Sequence, residues 1–206
     1  MGELIDTYQP RIIVVACNTA STIVLPDLRA RFGVPFVGTV PAIKPACAAS
    51  QSKLVSVLGT MGTVKREYTH ALIRDFAQGC AVTLVGSPRL AEIAEAALRD
   101  EPVADADIAR EIAPCFVEKD GARTDTVVLA CTHYPLLLDR LNKLAPWPVQ
   151  FLDPAPAIAR RVTDLLGPSV PSRLEPAKAH FTSGKLPSAA LEAALTGFGI
   201  AVPARV

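Results

Sequence analysis

Two cysteines carry neighbours suited to acid–base chemistry at carbon. Cys17 is followed by Asn18 and Thr19, and Cys131 by Thr132 and His133, so each thiol is trailed at once by a hydroxyl and by an amide or imidazole. A thiol at the end of a strand and the start of a helix meets free N–H groups and the positive end of the helix dipole. Both favour the thiolate, which predicts that Cys17 and Cys131 act as acid or base near neutral pH. The side chains and backbone N–H groups after each cysteine offer the donors that a carboxylate takes. A lone cysteine ending a strand is ordinarily a small buried hydrophobe. Two at equivalent points suit removal of a proton from one face of a carbon and return of another to the opposite face, which is racemisation. Disulfide exchange is the rival use of a thiol pair. It usually relies on adjacent cysteines or a CxxC turn, and the chain has neither.

The elements that must position these residues alternate between β-branched runs and segments of helical spacing, the signature of an α/β protein with a largely parallel sheet. Strands are predicted over 11–17, 34–37, 54–58, 81–85 and 126–130, with helices over 19–32, 62–77, 90–98, 108–116 and 134–144. The polar stretches 101–107 and 118–125 read as surface loops, and the Pro- and Ser-rich stretch 168–176 as a linker before a last strand and helix. The chain also echoes itself. Laid over 126–158 with one inserted residue, 12–43 places Val14, Ala16 and Cys17 on Val128, Ala130 and Cys131, and Phe36 and Pro41-Ala42-Ile43 on Phe151 and Pro156-Ala157-Ile158. This self-similarity predicts two related α/β halves, each ending a strand with a cysteine. Because ligands of parallel α/β sheets bind beyond the carboxyl ends of the strands, both cysteines are expected at such a place.

Composition narrows the classes. The chain has 206 residues, half of them apolar, enough for one large α/β unit or two small ones. Lys plus Arg number 21 against 20 Asp plus Glu, a balance with no electrostatic footprint for nucleic acid or anionic lipid. The apolar runs are strand-length, so no membrane span is expected, and Met1 to Tyr8 lacks the pattern of a secretory signal. Five cysteines without CxxC spacing disfavour a structural metal and fit a cytoplasmic chain with free thiols. Cys47, Cys80 and Cys115 read as packing residues, and His70 and His180 as satisfied or solvated.

Three segments, VVACNTAS at 14–21, LGTMGTVKREYT at 58–69 and VVLACTHYPLL at 127–137, closely resemble the glutamate racemases, cofactor-independent members of the aspartate/glutamate racemase superfamily. The resemblance covers nearly the whole chain. It implies an α/β fold of two pseudo-symmetric sheet domains with helices on both faces and the site in the cleft between them. It also implies conversion of L-glutamate to D-glutamate for peptidoglycan without pyridoxal phosphate, metal or nucleotide. The lack of a GxxxxGK[ST] or GxGxxG loop agrees with this. Carried over residue by residue, Cys17 and Cys131 match the two catalytic cysteines, and His133 a residue assisting its neighbouring thiol. Asn18, Thr19, Thr60, Thr63 and Thr132 match substrate-binding positions. Glu95 falls where the family often has a glutamate near the substrate amine, with Glu92 as a competitor.

The family's Asp-Ser-Gly-x-Gly-Gly and Pro-Tyr-Gly turns do not occur before Cys17. The resemblance therefore implies a shortened racemase with an incomplete first domain, residues 1–39 with 151–206, and a second domain at 40–150. The expected partner is glutamate, with a homodimer also compatible. Aspartate racemase, an inert binding or regulatory remnant of the fold, and a thiol-redox protein are the alternatives.

Overall fold

The computed structural model describes residues 1–77, 79–167 and 176–202. In chain order the elements are α1 (Gly2–Tyr8), β1 (Ile13–Val15), α2 (Asn18–Arg31), β2 (Phe36–Gly38), α3 (Ile43–Ala49), β3 (Leu54–Thr60), α4 (Met61–Val64), α5 (Glu67–Phe76), β4 (Ala81–Ser87), α6 (Leu90–Leu98) and α7 (Asp105–Ile112). There follow β5 (Glu118–Lys119), β6 (Ala122–Arg123), β7 (Thr126–Ala130), α8 (Leu138–Leu144), β8 (Gln150–Leu152), α9 (Ala155–Leu166), β9 (Ala177–Lys178), α10 (Ala189–Gly197) and β10 (Ile200–Ala201). The linker expected at 168–176 lies, but for its last residue, outside the described residues.

The main sheet is four parallel strands in the order β4-β3-β7-β8. Alternation along its central strands sorts side chains to two cores, as a period of two requires. Val127 and Leu129 face a cluster with Leu90, Ile108, Ile112 and Leu141 of α6, α7 and α8. Val55, Val57, Val128 and Ala130 face Ile43, Ala46 and Cys47 of α3. Helices thus cover both faces, which is why β7 reads as a continuous apolar run and is buried throughout. Ser56 is a buried polar residue within β3, and its hydroxyl donates to the Cys115 carbonyl at 2.6 Å. β8 straddles the domain boundary expected at 150/151 and forms the edge of this sheet.

A second parallel pair joins β1 to β2. α2 is tied to it through Ser21, whose Oγ donates to the Val15 carbonyl and accepts from the Thr39 N–H, both at 3.0 Å. The two pairs share one register. Ile13 stands opposite Phe36 and Val14 opposite Val37, while Val127 stands opposite Phe151 and Val128 opposite Leu152. These are the partners that the sequence echo predicts, and Pro-Ala-Ile lies at the start of a helix in both halves.

Three local readings need correction. The stretch 118–125 is a short β5–β6 hairpin, not a plain loop. Asp120 and Gly121 both take positive φ, 52° and 78°, as a tight two-residue hairpin turn requires. The helix expected at 62–77 is two helices, because Arg66 is extended and starts α5 afresh. α7 begins at Asp105 rather than 108, with Asp105 and Asp107 in its first turn, where carboxylates complement the helix dipole.

Asp125 fastens the loop before β3 to the strand after it. Its carboxylate accepts from the Ser50 and Thr126 hydroxyls at 2.7 and 3.0 Å and from the Gln51 and Ser52 N–H groups at 2.7 and 2.8 Å. Burial pushes this carboxyl up, but the four hydrogen bonds outweigh it and hold the pKa at about 2 against an ordinary 3.8. A folded-state pKa below the unfolded value means that the stabilisation is whole above the unfolded pKa and is lost as pH falls toward 2. Asp125→Asn is expected to lower the unfolding free energy by about 1–2 kcal/mol at pH 7. In urea titrations at pH 7 and pH 2.5, the difference between variant and parent should shrink at the lower pH.

Candidate active site

Cys17 and Cys131 follow the equivalent strands β1 and β7, and the segments carrying them touch. The Thr132 hydroxyl donates to the Ala16 carbonyl at 3.2 Å, joining the residue after one cysteine to the residue before the other. The two thiols differ in surroundings. Cys17 is exposed and caps α2, its Sγ accepting from the Ala20 N–H at 3.4 Å. Cys131 is buried at 8% exposure. Burial pushes its thiol up and charge on Cys17 adds to this, while the N–H groups of His133 and Tyr134 oppose it.

This corrects the expectation that both thiols are lowered by a helix N-terminus. Cys131 is followed by a turn and a short 3₁₀ segment, Tyr134–Leu137, with α8 starting only at Leu138, so the aligned N–H groups of an α-helix do not converge on it. The net effect of its site is to favour the protonated thiol at Cys131.

His133 bridges Cys131 to a carboxylate. Its Nδ1 lies 3.7 Å from Cys131 Sγ and its Nε2 is 2.7 Å from Glu95 Oε1. Of the two glutamates weighed from sequence, the structure brings Glu95 to the site, through His133, and leaves Glu92 in a groove with Arg89 and Asp107.

Thr19, Thr60 and Thr63 form a ring of hydroxyls. Thr19 Oγ1 is 3.1 Å from Thr60 Oγ1 and 2.9 Å from Thr63 Oγ1, and the last two are 3.1 Å apart. Thr60 also caps α4, accepting from the Thr63 N–H at 3.2 Å. α4 sits low on the sheet because Gly86 lies beneath it. A Cβ there would fall 2.8 Å from Val64 Cγ2 and 3.3 Å from the Met61 Cα. The ring therefore joins the start of α2, beside Cys17, to the carboxyl end of β3.

Asn18 is 2% exposed, and neither its Oδ1 nor its Nδ2 has a hydrogen-bond partner among the described residues. A buried amide left open in this way is costly to the fold, and beside a thiol it marks a place where polar ligand groups fit. An apolar cavity of about 340 Å³ among Val37, Ile43, Leu72, Phe76 and Ile158 holds none of the candidate residues. Among the described residues no three His, Cys, Asp or Glu side chains are arranged to hold a metal ion.

The fold is thus an α/β protein of paired parallel sheets, with two cysteine-bearing segments in contact and hydroxyls and an imidazole beside them. Over residues 5–162 the chain matches the Asp/Glu/hydantoin racemase family, and it belongs to that family. It is 56% identical over 207 residues to the glutamate racemase of Brucella canis, covering 97% of this chain and 73% of that one. Against the glutamate racemase of Mesorhizobium japonicum the identity is 55% over 204 residues, with coverages of 97% and 77%. The crystal structure of Escherichia coli glutamate racemase in complex with L-glutamate and the activator UDP-MurNAc-ala superposes with a TM-score of 0.83 at 39% identity. That match covers 98% of this chain and 76% of that one. The glutamate racemase of Thermus thermophilus in complex with β-chloro-D-alanine gives a TM-score of 0.58 at 34% identity, covering 80% and 59%. These matches agree with the α/β fold of paired parallel sheets expected from the sequence.

Because the Asn18 amide is unpaired, Asn18→Leu is expected to leave the unfolding free energy unchanged or raise it by up to about 1 kcal/mol. Urea unfolding measures this, and a loss of more than about 2 kcal/mol would mean that the amide supports the fold.

Proposed function

We propose that this protein interconverts L- and D-glutamate by transferring a proton between the two faces of Cα, with Cys17 and Cys131 as the acid and base. The thiolate of one cysteine takes the Cα proton and becomes a thiol, leaving a planar carbanion. The thiol of the other gives its proton to the opposite face and becomes the thiolate, so one turnover inverts the carbon and exchanges the roles. The observation that carries this reading is the placement of two thiols at the ends of strands with equivalent register, on segments joined by the Thr132–Ala16 hydrogen bond. The raised Cys131 thiol suits the donor role.

In this reading Asn18, Thr19, Thr60, Thr63 and Thr132 hold the substrate carboxylates. Their hydrogen bonds strengthen as charge spreads onto the α-carboxylate in the carbanion, which favours the transition state over the ground state. His133 exchanges a proton with Cys131, and Glu95 orients the ring. This reading keeps the division into 1–39 with 151–206 and 40–150, with β8 crossing the join. Glutamate as substrate is supported by the relatives named above, and it places the protein in the supply of D-glutamate for peptidoglycan. Among the described residues no helix is long and apolar enough to cross a membrane, and a cytoplasmic site of action is part of this reading.

Incubation with L-glutamate in D₂O is expected to show loss of the Cα proton by NMR together with inversion followed by circular dichroism. Cys17→Ser and Cys131→Ser should each lower net racemisation by at least about 10²-fold. A single mutant with full turnover, or exchange that never inverts the carbon, would sink the two-thiol assignment.

A further inference from the structure

The contacts behind His133 do not stop at Glu95. Arg99, one turn further along and just past the end of α6, places Nη1 3.2 Å from Glu95 Oε2, the carboxylate oxygen that His133 does not use. Arg99 is itself held from the other side. Its Nε donates to Glu101 Oε1 at 2.7 Å and its Nη2 to Glu101 Oε2 at 3.2 Å, a two-pronged pairing that fixes the guanidinium plane. The backbone makes this pairing: Asp100 takes a left-handed conformation with φ of 57°, and the Glu101 N–H returns to the Ala96 carbonyl at 2.9 Å. The turn at the end of α6 thus carries Glu101 back against Arg99. The result is a chain of contacts from Glu101 through Arg99, Glu95 and His133 to Cys131.

We propose that Arg99, braced by Glu101, is a positioning residue for His133. A glutamate side chain has three rotatable bonds, and a carboxylate fixed at one oxygen only can swing away from the ring. With Oε2 held by Arg99, Oε1 stays on Nε2. A carboxylate at Nε2 selects the ring form protonated there, and Nδ1 then faces Cys131 with a lone pair that can take the thiol proton. Arg99 touches neither the thiol nor the imidazole, so it acts through Glu95 alone. Lys cannot copy it fully, because an ammonium lacks the planar fork that engages Glu101 with one edge and Glu95 with the remaining nitrogen.

The inference rests on the two-thiol reading for its effect on turnover, but its structural claim can be read without any reaction. The full chain is labelled with ¹⁵N-histidine, and the His133 signals are assigned by their loss in His133→Asn among the three histidines. The parent is expected to show the Nε2-protonated form. Arg99→Met, a swap of similar length, is expected to move the ring toward a mixture of its two neutral forms and to lower kcat by about tenfold with KM changed less than twofold. Arg99→Lys should recover part of both effects, and Glu101→Gln should show the same changes more weakly. If Arg99→Met folds and leaves the His133 signals where they were, the proposal is overturned, whatever the activity does. If those signals move while the parent fails to racemise glutamate, the positioning role stands and the functional reading falls.

Discussion

Everything at this site depends on a constraint of parallel sheets: the carboxyl ends of neighbouring strands, and the turns that follow them, lie at one edge. β3 delivers Thr60 and β7 delivers Cys131 from the main sheet, while β1 delivers Cys17 from the second pair, and the Thr132–Ala16 and Thr19–Thr60 hydrogen bonds join the two edges. None of these residues is near another in sequence, and none needs a strained backbone to arrive. The fold spends its burial on β3 and β7, whose residues from Leu54 to Gly59 and from Thr126 to Ala130 are all buried, and this anchors one side of the site rigidly. The β1–β2 pair is lighter, with Val14 41% exposed, and is tied in by hydroxyls: Ser21 and Thr39 on the Val15 carbonyl, and Thr19 on Thr60 and Thr63.

The equivalence of the halves stops at the backbone. The register of β1 with β2 repeats in β7 with β8, yet the cysteine after β1 caps a fourteen-residue helix and is exposed, whereas the one after β7 enters a tight turn and is buried. Among the described residues only Cys131 has an imidazole and a carboxylate behind it. In the two-thiol reading proposed above, the two halves therefore give their cysteines different surroundings for the same task.

Much of this was legible in the sequence. α6 and β7 have the bounds that their patterns predict, since apolar spacing and burial agree there. The echo between 12–43 and 126–158 anticipated a shared register because strand pairing follows from which residues must face a core. The hairpin at Asp120-Gly121 had a signal, the two-residue turn itself, masked by the polarity of the segment. The break between α4 and α5 had none, as the apolar spacing continues across Arg66 while the backbone does not. At the site, residue types located the thiols and the threonines. Burial decides how Cys131 titrates, and burial is a property of everything packed around it, so the local Cys131-Thr132-His133 run could not reveal it. Arg99 was only half visible: its i,i+4 spacing from Glu95 is in the sequence, but the turn at Asp100 that carries Glu101 back against it is not.

The ring of Thr19, Thr60 and Thr63 has a consequence for selectivity. Three hydroxyls have three protons to share among three contacts, so without a ligand the ring satisfies itself. Any guest that takes a proton from it must break a bond already made, and only an acceptor better than a hydroxyl oxygen gains by the trade. A carboxylate gains most, because its hydrogen bonds are charge-assisted and about twice as strong as those between neutral groups. In the function proposed above, the closed ring therefore favours a charged guest over a neutral one in the competition for its protons.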